Sequence, residues 1–489
     1  MTARLILDSR YAYLSGAPLE LVKEISLASS FLVKGREHSS AYQDGYWDGR
    51  KRLVSMMRDG RIRIPIGLAQ DAVDILTTYD EPCEITNIRR EPEQSLRVSF
   101  DESVLHPYQL DAVQRVTTLR GSLGLRGCGI IKMPPRSGKT LVGAAIIARL
   151  GVPALFVVPA KTLLYQAQRE LSRRLGVEVG IIGDEEFELR DVTVATIQTL
   201  YSLRGGRRKS KNGTTKTIPT SSRYAEVFEG RELVIMDELH HLQSDEWRKV
   251  IQDSRATYRI GLSATVFLDH EQECELGVIW LRACTGDMLV DISVSDLIEQ
   301  GYLVRPNVRL YPIRRPELNY WRRWSNELQR QAIFRNEYRN GKIVDVTAGL
   351  ARQEMRTVII ANRHEQVDEL CGLMRMAGLR FERVVGETPQ RQREKAIARL
   401  CRQEIDVIIG TVFGEGVDIP EVDACVNAEG GYNIKKCYQR LRCLTPHNGK
   451  TKAVLVDFVD LMHPYFAAHS RDRLSVYRGE RAFQITVEK

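Results

Sequence analysis

The 489-residue chain has little that would tie it to a membrane, a structural metal or an oxidising compartment. No Cys-x-x-Cys pair occurs. The nine cysteines (Cys83, Cys128, Cys274, Cys284, Cys371, Cys401, Cys425, Cys437, Cys443) are odd in number and scattered, which argues against a zinc ribbon. Several lie inside apolar runs, as core thiols of a reducing compartment do. No apolar run of membrane-spanning length and no signal-peptide pattern is seen, so a cytoplasmic location and no membrane partner are expected. Acidic residues are absent between Ser202 and Ala225, where Arg204, Arg207, Arg208, Lys209, Lys211 and Lys216 crowd a tract rich in Gly, Ser and Thr. Such a tract reads as a mobile loop, either a basic flap for nucleic acid or a solvated insertion.

What is present is ordinary in amount. Hydrophobic residues make up 43% and charged residues 27%, with a formal net charge of +8. That fits a globular chain with a weak preference for an acidic partner such as nucleic acid. The length exceeds one hydrophobic core, and the pattern divides it at about 95 and 304. Residues 1–95 read as a small α+β domain: a strand at Arg4–Leu7, a helix over Pro18–Ser29, a helix near Leu68–Leu76 and a strand near Cys83–Ile88. Arg50–Val54 and Arg61–Ile66, joined by a turn at Asp59-Gly60, read as a basic hairpin. On it Arg50 and Arg52 would share a face and could track phosphates.

From about residue 100 strands alternate with helices, the signature of a parallel sheet. Apolar runs fall at Ala154–Val158, Val177–Ile182, Val192–Ala195, Leu233–Met236 and Tyr258–Leu262. A second series has a helical segment near Tyr320–Lys342, then runs at Thr357–Ile360, Arg380–Val385, Asp406–Ile409, Ala424–Asn427 and Ala453–Asp457, and a helical tail from about His463. The fold class is therefore α/β, with two tandem lobes at 96–304 and 305–489 behind the N-terminal domain. Nucleotide sites lie at the carboxyl ends of such strands.

Two sites carry chemistry. Ile130 and Ile131 lead through Met133, Pro134, Pro135, Arg136 and Ser137 to Gly138-Lys139-Thr140, after which apolar residues recur at helical spacing. Strand, tight loop and helix start form a phosphate cradle: main-chain N–H groups and the helix dipole favour anions, Lys139 reaches the β/γ-phosphates, and Thr140 ligates Mg²⁺. The first Gly of the usual pattern is Met133 here. About one hundred residues on, Leu233–Met236 ends in Asp237-Glu238-Leu239-His240. A carboxylate at a strand end suits Mg²⁺, and its neighbour suits the attacking water.

This ordered set resembles the superfamily 2 helicases of the DExH kind, whose lobes are RecA-like, over roughly residues 100–460. The resemblance implies that Tyr108 and Gln109 in Leu105-His106-Pro107-Tyr108-Gln109 read adenine, and that Pro135 to Thr140 cradle the ATP phosphates. It implies that Lys161 and Thr162, then Thr196 and Gln198, track a DNA strand. Ser263-Ala264-Thr265, with His240, would couple hydrolysis to lobe movement. In the second lobe Asn362, Arg363, Thr388 and Thr411 would touch DNA. Gly416 and Asp418, in the Gly410–Pro420 string, would face ATP. The family's final motif reads Gln-x-x-Gly-Arg-x-x-Arg. Here Gln439-Arg440-Leu441-Arg442-Cys443-Leu444-Thr445 lacks the Gly and ends in Thr445, leaving Arg440 and Arg442 as candidate fingers for the transition-state charge. Short strings, Trp47-Asp48-Gly49-Arg50 near the start and His463-Pro464-Tyr465 near the end, resemble phage UvsW-type and XPB-like members.

The resemblance implies an ATP- and Mg²⁺-dependent DNA helicase or translocase in recombination, repair or replication. Single-stranded, duplex or branched DNA would be its partner, other recombination or replication proteins could join it, and a monomer in the cytoplasm (a host's, if phage-encoded) is expected. Two alternatives stay open: an RNA helicase, and a nucleic-acid-binding module that hydrolyses ATP poorly because of its altered last motif.

Overall fold

A computed structural model describes residues 2–33, 35–118, 123, 125–209, 215–264, 271–316, 318, 325–411, 421–431, 450 and 453–488. The chain divides into two compact units, residues 1–133 with 137–291, and residues 134–136 with 292–489.

The first unit contains two larger sheets. The N-terminal strands are β1 (Ala3–Leu7), β2 (Tyr11–Ser15), β3 (Ser30–Leu32), β4 (Arg50–Arg52), β5 (Ser55–Met56), β6 (Ile62–Pro65) and β7 (Cys83–Asn87). Five of them order as β5-β6-β2-β1-β7, while β3 and β4 pair separately. This corrects the expected hairpin. Ser55 and Met56 pair with Arg63 and Ile62, whereas Arg50–Arg52 pair with Ser30–Leu32. The ladder about the Asp59-Gly60 turn ends at Ser55, and Arg50–Arg52 pair with Ser30–Leu32, so the two basic stretches lie in different sheets. Alternation along β2 and β6 turns Ala12, Leu14, Ile62 and Ile64 inward.

The second sheet is built from β8 (Cys128–Lys132), β9 (Ala154–Val158), β10 (Gly180–Gly183), β11 (Glu186–Glu188), β12 (Val192–Thr196), β15 (Leu233–Asp237), β16 (Tyr258–Ser263) and β17 (Met288–Asp291), ordered β11-β10-β12-β9-β15-β16-β8-β17. Only β11 runs antiparallel among these described strands. The central strands are apolar along their whole length because helices cover both faces, and every residue of β9 is buried. The basic tract expected as a loop is instead a β-hairpin, β13 (Gly206–Lys209) against β14 (Thr215–Ile218), with Arg208 opposite Lys216.

The N-terminal sheet shares its core with the helix Glu271–Thr285. Trp280 and Ala283 pack among Leu5, Leu7, Ile64 and Leu68. Lys51 Nζ stands 5.6 Å from the Trp280 ring centroid, and Arg282 pairs with Asp71 at 2.5 Å. The first 95 residues thus belong to the first unit rather than standing apart.

The second unit carries a seven-stranded sheet of described residues, all parallel: β18 (Pro306–Ile313), β19 (Thr357–Ile360), β20 (Phe381–Val384), β21 (Val407–Gly410), β22 (Ala424–Asn427), β23 (Ala453–Asp460) and β24 (Gln484–Val487), ordered β20-β21-β19-β22-β23-β18-β24. The helical tail spans Pro464–Gly479, and β24, missed in the sequence, follows it. The unit begins at Ile292 rather than near 305 because the helix Val294–Glu299 is tied to the tail. Glu480 accepts from Ser295 N and Oγ, and Arg481 pairs with Asp296 and Glu299. Among the described residues no helix is long and apolar enough to cross a membrane.

The docking of the N-terminal sheet is testable at Gly67, where an added Cβ would stand 1.8 Å from the Arg282 carbonyl oxygen. Gly67→Ala should destabilise the first unit by about 1–3 kcal/mol, as overpacking does. Thermal unfolding of the purified protein checks this, and an unchanged midpoint would show that the contact yields freely.

Candidate ATP site and nucleic-acid interface

Strands β8, β16 and β15 are neighbours, and their carboxyl ends share one edge: Ser263 lies opposite Lys132, and Leu262 opposite Asp237. The phosphate loop leaves β8 at Met133, whose N–H donates to Ser263 O at 2.9 Å. Met133 is fully buried, so the position that is usually Gly serves here as a core residue. The loop turns through two left-handed residues, Arg136 (φ 72°) and Gly138 (φ 80°), before the helix Lys139–Leu150 begins. At Gly138 a side chain is excluded twice: its φ is positive, and a Cβ would lie 2.4 Å from Gln109 Nε2.

Gln109 is 3% exposed. Its Nε2 donates to Ser137 O at 2.7 Å and its Oε1 accepts from His106 N at 2.9 Å. Tyr108 Oη also donates to Ser137 O, at 3.0 Å, and its ring stacks on His106. In this structure the Gln109 amide braces the phosphate loop.

Asp237 ends β15, nearly buried, and Glu238 follows in a left-handed conformation (φ 52°) with its N–H donating to Asp237 Oδ1 at 3.0 Å. Burial, reinforced by the adjacent Glu238 charge, pushes the Asp237 carboxyl up to about 7, against the pull of Lys139. Two crowded carboxyl groups opposite a lysine, beside a helix N-terminus, fit a Mg²⁺–nucleotide: the cation would stabilise the Asp237 charge and the N–H groups would take phosphate oxygens. His240 is buried, with Nδ1 3.1 Å from Ser263 Oγ and 3.4 Å from Glu238 Oε2. The structure therefore connects the second carboxylate to the end of β16 through one imidazole. Thr265, Gly416, Asp418, Arg440 and Arg442 lie outside the described residues.

Two family models match the chain: "Type III restriction enzyme, res subunit" over residues 102–268 and "Helicase conserved C-terminal domain" over 340–442, together more than half of its length. The chain belongs to the superfamily 2 helicases. Its relatives include a putative DNA 3'-5' helicase Rad25 of Haloarcula marismortui, 28% identical over 67% of this chain and 48% of that one. The DNA 3'-5' helicase XPB of Mycobacterium tuberculosis is 27% identical over 76% and 64%. The chain thus spans about half to two-thirds of the length of these relatives. The ATP-dependent Type ISP restriction-modification enzyme LlaBIII bound to DNA shares the fold, with a TM-score of 0.56 at 13% identity over 85% of this chain and 34% of that one. T4 UvsW aligns along 100% of this chain and 99% of its own at 18% identity, with a TM-score of only 0.43.

The residues assigned to DNA fare unequally in the structure. Lys161 and Thr162 are exposed at the start of the helix Lys161–Leu175, but Lys161 is paired with Asp184. The Gly183-Asp184-Glu185 turn, left-handed at Asp184 and Glu185, was the overlooked sequence signal for that partner. Gln198 is exposed and donates to Pro159 O at 2.6 Å, which ties the helix after β12 to the turn after β9. Thr196 is 2% exposed and caps its own helix, accepting from Thr199 N and standing 2.9 Å from Thr199 Oγ. Its hydroxyl is internal, which corrects its assignment to a strand contact. Asn362 and Arg363 are exposed before the helix His364–Met376. Thr388 Oγ accepts from Val385 N within a turn, and Thr411 follows β21 half-buried. Arg50 is half-buried with Nη1 3.3 Å from Ser30 Oγ, and Arg52 is held by Asp48. Together with the split of β4 from β6, this removes the basic strip expected there. Arg207 and Arg208 lie on β13.

The Asp237 carboxyl makes a signed prediction. Its folded value is raised from 3.8 to about 7. Within that window the folded chain holds a proton that the unfolded chain has released. Stability from this site is therefore lost as pH rises through the window in the absence of Mg²⁺. Asp237→Asn should raise the melting midpoint above wild type at about pH 8, with the gap closing toward about pH 4, and Mg²⁺ with nucleotide should narrow it. A gap independent of pH would show that the carboxyl is not the source.

Proposed function

We propose that this helicase is an ATP-driven DNA translocase or helicase acting on duplex or branched DNA. The observation that carries the reading is the alignment of Lys139, Asp237, Glu238 and the His240–Ser263 contact along three adjacent strand ends. DNA is preferred to RNA because the Rad25 and XPB relatives are named DNA helicases.

The helix N-terminus at Lys139 and the Lys139 ammonium hold the phosphates. Thr140 and Asp237 hold Mg²⁺, which when bound neutralises charge on the phosphate oxygens. Glu238 orients the attacking water and accepts its proton. His240 senses that change because its Nδ1 faces both Glu238 and Ser263, and β16 passes it on through the residues after Ser263. Arg440 or Arg442 supplies the finger.

Lys139→Ala and Glu238→Gln should each lower DNA-stimulated ATP turnover by about 10²–10⁴-fold, with Glu238→Gln still binding ATP. Turnover measured with single-stranded, duplex, forked and four-way DNA and with RNA tests the substrate. Stimulation by RNA alone would overturn the DNA reading, and wild-type turnover by either folded variant would overturn the site.

The hairpin β13–β14 is the proposed phosphate contact of the first lobe. Neutralising its basic residues, Arg207 and Arg208 among them, should flatten the log–log salt dependence of DNA binding by about 0.7–0.9 per lost contact. An unchanged slope would make it a solvated insertion.

A further inference from the structure

The second unit buries four charges that the ATP chemistry does not use: Arg339 and Arg473, Asp457 and Asp460, none more than 1% exposed. They pair as Arg339 Nε to Asp460 Oδ1 at 2.8 Å and Arg473 Nε to Asp457 Oδ2 at 2.9 Å. Burial raises the Asp460 carboxyl while Arg339 and Arg473 pull it down. Buried pairs of this kind are weak sources of stability, because desolvation offsets their attraction. What else the arginines hold is therefore informative.

Both reach the main chain that leaves β22. Arg339 Nη1 donates to Ala428 O at 2.8 Å, and Gln366 Nε2 donates to the same oxygen at 3.0 Å. Arg473 Nη1 donates to Gly430 O at 3.2 Å and to Gly431 O at 3.0 Å, while its Nη2 donates to Phe458 O at 2.7 Å. Asn427 Nδ2 donates to Asp457 Oδ1 and its Oδ1 accepts from Glu429 N. Tyr477 Oη donates to Asp457 Oδ2 at 2.7 Å. Carbonyls 428, 430 and 431 are thus captured by side chains from the helices Glu337–Arg352, His364–Met376 and Pro464–Gly479. A Gly-Gly pair is by nature the freest backbone available. Gly430 is left-handed (φ 70°), and Ile333 would stand 2.7 Å from a Cβ there.

We infer that Gly430-Gly431 is a hinge pinned by Arg473, and that Arg473 is a positioning residue for ATP hydrolysis. It fixes the main chain at Gly430 and Gly431, which precede Arg440 and Arg442 by about ten residues in the sequence. The tail helix, which follows the last helicase motif, then helps to position the catalytic arginines. This rests on the proposed ATPase function.

Two substitutions in the full chain separate positioning from stability. Arg473→Lys keeps a charge but has a single nitrogen, so it cannot hold Asp457, the glycine carbonyls and Phe458 O from three separate positions as the guanidinium does. Tyr477→Phe removes a bond to the same Asp457 and leaves the glycine carbonyls held. Arg473→Lys should speed hydrogen exchange in peptides spanning 424–431 and lower kcat about tenfold or more, with KM for ATP and DNA affinity within about threefold of wild type. Tyr477→Phe should lower the melting midpoint yet keep kcat within about twofold. Adding Gly431→Ala, whose Cβ meets nothing within 4 Å, should recover part of the loss by stiffening the hinge. Wild-type kcat in Arg473→Lys, or losses in both variants that follow the melting midpoint, would overturn the proposal. If Arg473→Lys does not fold, Arg339→Lys, which leaves Ala428 O to Gln366 alone, is judged by the same criteria. Absence of turnover in the wild type would instead defeat the ATPase reading, and unchanged exchange in Arg473→Lys would then still overturn the pin.

Discussion

The register of β16 between β8 and β15 is the constraint on which the ATP site depends. Side chains alternate along a strand, so a slip of one residue would turn Ser263 from the loop side and break its alignment with Lys132. The bond from Met133 N to Ser263 O and the approach of His240 to Ser263 both follow from this register. Burial on both faces enforces it: Tyr258 to Ser263 are buried at every position, and a slip would drive the guanidinium of Arg259 out of the pocket of carbonyls from Ile251, Ser254 and Ala256.

Buried charge is handled in two opposite ways. Asp237 is crowded by Glu238 and held at a raised value, a local cost that a bound cation would relieve. Asp457 and Asp460 are matched by Arg473 and Arg339 and by main-chain contacts. The first arrangement stores instability where chemistry needs it, and the second fixes backbone geometry where movement would be harmful. Exposed pairs such as Arg173 with Glu170 contribute little to either.

The N-terminal sheet shows why a pattern of elements does not fix a domain. Its strands bury one face on its own helices and use Trp280 and Ala283 of the helix Glu271–Thr285 to complete the core. That helix follows Ser263 in the chain, so the sheet rests on the element that leaves the third motif.

The sequence by itself determined most strands of the two larger α/β sheets, though not β11, β17, β18 or β24. Ala154–Val158, Thr357–Ile360 and Ala424–Asn427 are continuous apolar runs bounded by turns, and they appear in the structure with those bounds. It also determined the order of the phosphate loop and the Asp237-Glu238 pair, because strand, loop and helix are local patterns. Tertiary structure alone decided what depends on partners distant in sequence. Arg50–Arg52 joined Ser30–Leu32 rather than Arg61–Ile66, since strand pairing is set by which edge is free and not by proximity to a turn. Gln109 turned to Ser137, since a buried polar group takes the nearest acceptor or donor that the packing presents. The helix Val294–Glu299 went with the tail because Glu480 and Arg481, some 185 residues away, hold it. The Arg339 and Arg473 network was invisible for the same reason. An arginine or aspartate in a sequence carries no sign that it will be buried, and only the fold supplies the partner that makes its burial tolerable.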